Sequence, residues 1–130
     1  PYVGLALVDE VVGNLQSQKN LVLDARANDR FHGQNETLDP IGGHIPGAVN
    51  RFFKENLSAT AFKTPEQLFK DFVDQLGSRK PSEVIHQCGS GVTACHNLLA
   101  MEVAGLRGSR LYAGSWSEWC ADPTRPVATD

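Results

Sequence analysis

The sequence predicts an α/β fold with a mainly parallel sheet. Short apolar runs alternate with amphipathic stretches along the chain, the pattern of strands joined by crossover helices. The length of 130 residues suits one domain and is too short for two ordinary ones. Hydrophobic residues make up 41% and charged residues 21%, as in soluble globular chains, which excludes a disordered or fibrous protein.

The elements follow in order. Leu5-Ala6-Leu7-Val8 is a short apolar run. Asp9 then caps a helix in which Val11, Val12 and Leu15 share one face. Leu21-Val22-Leu23 reads as a buried strand ending at Asp24-Ala25-Arg26, and residues 33–47, rich in Gly and Pro, read as an ordered loop. Ala48-Val49-Asn50 is a weak strand. Thr64-Pro65-Glu66-Gln67 is a strong helix start: Thr64 caps, Pro65 takes the first turn and Gln67 completes a capping box. Leu68, Phe69, Phe72, Val73 and Leu76 form its apolar face, and Gly77 ends it. Glu83 to Gln87 is the next strand, Cys88 to Gly91 a tight turn. Val92, Cys95, Leu99, Val103 and Leu106 follow helical spacing. Arg110-Leu111-Tyr112 is a last strand, and Ser115-Trp116-Ser117-Glu118 a second capping box. The domain is expected over residues 1–121, with 122–130 a loosely packed tail.

Charge and composition limit the function. Twelve basic against fifteen acidic residues give −3, so phosphate-driven nucleic-acid binding is not expected. No apolar run of membrane-spanning length and no signal-peptide pattern is present, so no membrane partner is expected. Three cysteines cannot all pair within one chain, and reduced thiols fit a cytoplasmic setting. The chain begins at Pro1 without an initiator Met, as expected of a processed chain or a piece of a longer one.

Ligands of parallel sheets sit at the carboxyl ends of strands. That rule points to Asp24 to Arg26 and to Cys88. Cys88 follows a strand and precedes a helix, and Gly89 and Gly91 permit backbone conformations that other residues resist. A curled loop there aims N–H groups at one sulfur, and the helix start adds partial positive charge. Both favour the nucleophilic thiolate and would stabilise a terminal sulfur carried on it. The same pattern fits an inert cysteine beside a glycine turn. Cys95 and Cys120 read as packing residues, Cys95 on the apolar face of its helix. His86, Cys88, Cys95 and His96 cluster in sequence, but their spacing matches no common zinc pattern.

Four stretches resemble the rhodanese superfamily of sulfurtransferases. They are Leu23 to Arg26 with Arg30-Phe31-His32-Gly33, then Gly43-His44-Ile45-Pro46-Gly47-Ala48-Val49-Asn50, then Cys88 to Thr93, and finally Tyr112 to Trp119. They occur in the family's order and span nearly the whole chain. The resemblance implies a five-stranded, mainly parallel sheet with helices on both faces. It implies a double displacement in which Cys88 takes a sulfane sulfur and passes it to cyanide, a thiol or thioredoxin. No metal or organic cofactor is implied. Gly89, Ser90, Gly91, Val92 and Thr93 would cradle the persulfide, and Arg26 and Arg30 would hold the donor. The residues alone leave other tasks open: Ser90 and Thr93 as helix caps, and Arg26 as an internal ion pair with Asp24 or Glu36. His44 reads as a structural histidine.

The loop from Gly89 to Thr93 carries no charge, which favours 3-mercaptopyruvate over dianionic thiosulfate, and Ser90 matches the mercaptopyruvate branch. The chain resembles the catalytic C-terminal half of two-domain members, which implies an N-terminal rhodanese-like partner domain absent from it. Two other readings compete. A cysteine phosphatase would need an arginine six positions after Cys88, where Ala94 stands. A non-catalytic persulfide-carrying or protein-interaction domain is the stronger alternative.

Overall fold

The computed structural model describes residues 4–59 and 61–130, so the first three residues of the expected domain lie outside it. Its elements are α1 (Val8–Ser17), β1 (Leu21–Asp24), α2 (Asn28–Phe31), β2 (Val49–Asn50), β3 (Leu57–Ser58), β4 (Ala61–Phe62), α3 (Pro65–Leu76), β5 (Val84–Gln87), α4 (Ala94–Val103), β6 (Arg110–Leu111) and α5 (Ser115–Trp119). The main sheet has the order β2-β1-β5-β6 and every pairing is parallel. β3 and β4 form a small antiparallel hairpin. The sheet thus has four strands rather than five. The expected first run forms only a single parallel bridge, Leu5 to Leu111, at the β6 edge.

Strand alternation sends side chains to opposite faces, and each face meets its own helices. Val22 and Ile85 point into a cluster with Val11 of α1 and Tyr112, Trp116 and Trp119. Leu21, Leu23 and Val84 point the other way, onto Leu68, Phe72 and Leu76 of α3 and Ala100 and Met101 of α4. Fully burying a Leu or Phe stabilises by about 1.5–3 kcal/mol, so both layers matter. Thr64 makes the expected capping box on α3, and Gly77 ends it at φ 62°. Phe69 and Val73 stand outside the buried stripe and are exposed.

Four local expectations change. Asp9 does not cap α1: Leu7 is the N-cap without a side-chain bond, Asp9 lies in the first turn, and Val12 is exposed. The buried stripe of α4 is Ala94, Asn97, Ala100 and Met101, leaving Cys95, Leu99 and Val103 exposed. Two alanines let the helix approach the sheet closely. Asn97 is satisfied inside, donating to the Arg51 carbonyl at 2.7 Å and accepting from Asn56. Ser115 forms no capping box; its hydroxyl turns inward, and Gly114 is the N-cap of α5. The tail is tied down: His44 and Ala128 exchange backbone hydrogen bonds at 2.8 and 2.9 Å, and Trp119 donates to the Pro126 carbonyl. His44 is structural, stacked on Phe31 with Nδ1 2.7 Å from the Phe31 carbonyl. Among the described residues no helix is long and apolar enough to cross a membrane.

Candidate active site

The register of the two central strands builds the site. Asp24 lies opposite Gln87, so the chains leaving β1 and β5 emerge side by side, and the Ala25 N–H donates to the Gln87 carbonyl. Ala25, Cys88 and Ala94 pack together at that end of the sheet. Cys88 is buried at the foot of a cavity of about 380 Å³, which Arg26, Arg30, Asp39, Phe53, Ser90 and Thr93 also line. Leu38 and Val92 flank it, 78% and 74% exposed.

The loop after Cys88 curls back on the sulfur. The Gly91 N–H donates to Cys88 Sγ at 3.0 Å. Gly91 has φ +94°, and a Cβ there would lie 2.6 Å from the Ala113 carbonyl oxygen, so glycine is required on both counts. Thr93 makes no side-chain cap on α4, so its hydroxyl is not committed to that helix.

The start of α5 holds the loop in this shape. Trp116 and Ser117 donate their backbone N–H groups to the carbonyls of Cys88 and Gly89, each at 2.9 Å. The Cys88 N–H donates to Ser115 Oγ at 3.0 Å, and that hydroxyl donates to the Tyr112 carbonyl. With the Cys88 and Gly89 carbonyls tied to α5 and the Gly91 N–H on the sulfur, the loop has the curl in which backbone donors can face a bound anion.

A family model described as a rhodanese-like domain matches residues 7–122. The chain belongs to that family. A probable 3-mercaptopyruvate sulfurtransferase of Pseudomonas aeruginosa is 55% identical over 109 residues, covering 83% of this chain and 38% of that protein. The thiosulfate sulfurtransferase of Mus musculus is 39% identical over 120 residues, covering 88% and 40%. Among solved structures, the 3-mercaptopyruvate sulfurtransferase from Leishmania major superposes with a TM-score of 0.80 at 30% identity, covering 97% of this chain and 34% of that one. The chain spans about two-fifths of the length of the curated relatives it matches.

Within this rhodanese-like domain the two expected donor-binding arginines part company. Arg26 is buried, and its guanidinium is spent on protein partners. Nη2 donates to Asp24 at 2.7 Å and to the Gly43 carbonyl at 2.6 Å, and the group lies 4.8 Å over the Trp116 ring. Only Nη1 makes no hydrogen bond among the described residues. The internal ion pair with Asp24 is therefore formed. Arg30 is more open, its side chain 20% exposed. It pairs with Glu36 at 3.1 Å and Asp39 at 3.4 Å and lies against Gly89 at the cavity wall.

Burial pushes the Glu36 carboxyl up, but the Arg30 hydrogen bond and the Asp39 and Leu38 N–H groups outweigh it and hold Glu36 below its ordinary value. Asp39 is gripped on its other side by the Ser117 hydroxyl at 2.7 Å. Sequence reasoning did not place Asp39, Phe53 or Ser117 at the site and read Ser115 only as a helix cap. Asp39 meets Ser117 across 78 residues and Ser115 meets Cys88 across 27, so no local pattern marks either role.

His86 lies in β5 with Nε2 3.1 Å from Ser109 Oγ, and burial holds it at about 3. Cys95 donates weakly to the Gly91 carbonyl. Among the described residues, no three His, Cys, Asp or Glu side chains gather as a metal site.

Proposed function

We propose that this domain is a sulfurtransferase with Cys88 as nucleophile and persulfide carrier. The observation that carries the reading is the placement of Cys88 Sγ at the foot of the cavity, where the Gly91 N–H of the following loop donates to it. A persulfide is a soft anion, and such donors hold it without a competing acid.

With 3-mercaptopyruvate, the Cys88 thiolate attacks the thiol sulfur and the sulfur–carbon bond breaks. The carbon leaves with the electron pair as the enolate of pyruvate and takes up the proton that the thiol loses. With thiosulfate, the sulfur–sulfur bond breaks and sulfite leaves with the pair. In the second half-reaction cyanide, a small thiol or thioredoxin attacks the outer sulfur and returns the Cys88 thiolate.

The uncharged loop and the high identity to a probable 3-mercaptopyruvate sulfurtransferase favour the first donor. Arg30 is the better placed of the two arginines to hold its carboxylate, because it is exposed to the cavity and its present partners can be exchanged. An N-terminal partner domain, inferred from the greater length of the relatives, would complete the cavity wall.

The test is intact-protein mass spectrometry after incubation with each donor. The expected outcome is one added sulfur atom in the native domain and none in Cys88→Ser, which keeps its thermal unfolding transition. Sulfur addition that persists in Cys88→Ser removes the mechanism. No addition from either donor leaves the binding-domain alternative.

A further inference from the structure

We propose that Asp39 sets the charge of the sulfur donor, admitting a monocarboxylate and turning away a dianion. This rests on the sulfurtransferase reading of Cys88. The Asp39 side chain is only 9% exposed, yet it lines the same cavity as Cys88. It is fixed from two sides: Ser117 donates to Oδ1 at 2.7 Å, and Arg30 Nη2 lies 3.4 Å from Oδ2. It is therefore a negative group held to the cavity wall by Ser117, and it stays beside an entering anion even when its contact with Arg30 is exchanged.

The charge around it decides the sign of its effect. Asp24, Glu36 and Asp39 face Arg26 and Arg30 in one connected set of ion pairs. Three carboxylates against two guanidiniums leave one negative charge in excess. An incoming carboxylate can displace Asp39 or Glu36 from Arg30, one charge for another. A dianion brings a second charge to a set that already carries one negative charge in excess. Repulsion between partly buried charges is screened far less than in water, so the penalty on the extra charge is large. The carboxylate of Asp39 is also the loosest of Arg30's contacts. It is the partner that a donor replaces first.

Asp39→Asn keeps the size and the Ser117 contact and removes the charge. The expected result is a rise of about tenfold in the ratio of thiosulfate to 3-mercaptopyruvate turnover, measured as kcat/KM. Asp39→Glu, which keeps the charge, should stay near the native ratio. A structural role for Asp39 would lower both donors alike and leave the ratio unchanged, and that result overturns the proposal.

A second readout does not depend on sulfur transfer. Sulfate and pyruvate would each be titrated for protection of Cys88 from iodoacetamide. Asp39→Asn should strengthen protection by sulfate relative to pyruvate. If the native domain accepts no sulfur but this shift appears, the transfer reading fails while the charge selectivity of Asp39 stands. If transfer occurs but neither ratio moves, only the assignment to Asp39 fails.

Discussion

Arg26 and Arg30 stand four residues apart and carry the same charge, yet their surroundings give them different work. Arg26 neutralises a buried carboxylate, bonds a loop carbonyl and lies on an indole. Removing it strands Asp24 in the interior. Breaking one side of a buried pair costs about 3–5 kcal/mol, so Arg26→Ala should lose most of the domain's stability in denaturant unfolding. Arg30 is partly solvated, and its partners keep other donors: Glu36 has two backbone N–H groups, Asp39 has Ser117. Arg30→Ala should therefore cost about 1–2 kcal/mol while raising the donor KM about tenfold or more. An Arg26→Ala variant that folds normally with a raised KM would reverse this division. A sequence shows that both are arginines near a strand end; it does not show which one the fold has already occupied.

Among the elements, α5 has the largest influence for its size. Its first three residues fix both carbonyls and the first N–H of the Cys88 loop. Ser115→Ala leaves the buried Cys88 N–H without an acceptor, which costs about 1–3 kcal/mol. The expected signature is slower sulfur uptake at Cys88 with the Arg30-dependent KM unchanged, read by single-turnover mass spectrometry. The four strands of the main sheet, α3 and the position of Cys88 were legible in the sequence because each has a local cause: an apolar run, a capping box, a glycine pair; the β3–β4 hairpin was not, and the first apolar run forms a bridge instead of a strand. The buried face of α4 was not, because its stripe consists of alanines and a hydrogen-bonded asparagine while its larger apolar side chains face outward. The role of α5 was hidden for a similar reason. Ser-x-x-Glu has the spacing of a cap, but a hydroxyl twenty-seven residues from Cys88 proved more useful to the loop than to its own helix.

At the scale of the whole molecule, the buried His86 ties stability to pH. Burial holds it at about 3 in the folded domain, against an ordinary value of 6.5. Between those values the unfolded chain binds a proton that the folded chain refuses. Stability therefore falls as pH drops from 6.5 toward 3, by about 1.4 kcal/mol per pH unit, and His86 adds no slope above 6.5. His86→Gln should flatten the unfolding free energy measured in denaturant between pH 6.5 and 4.5. His96, also lowered by burial, leaves a residual slope. Two of the carboxylates held low, Glu36 and Asp71, contribute only at more acid pH, where their protonation removes the pairs with Arg30 and with Lys63 and Arg51. The dependence of the Cys88 loop on α5 also sets an order of events during synthesis. Chains emerge from the ribosome N-terminus first, at about 5–20 residues per second. For the seconds between translation of Cys88 and of Ser115, the thiol exists without the groups that shape its loop. The nascent chain thus carries Cys88 in an unshaped loop, and that loop takes its form only when α5 docks.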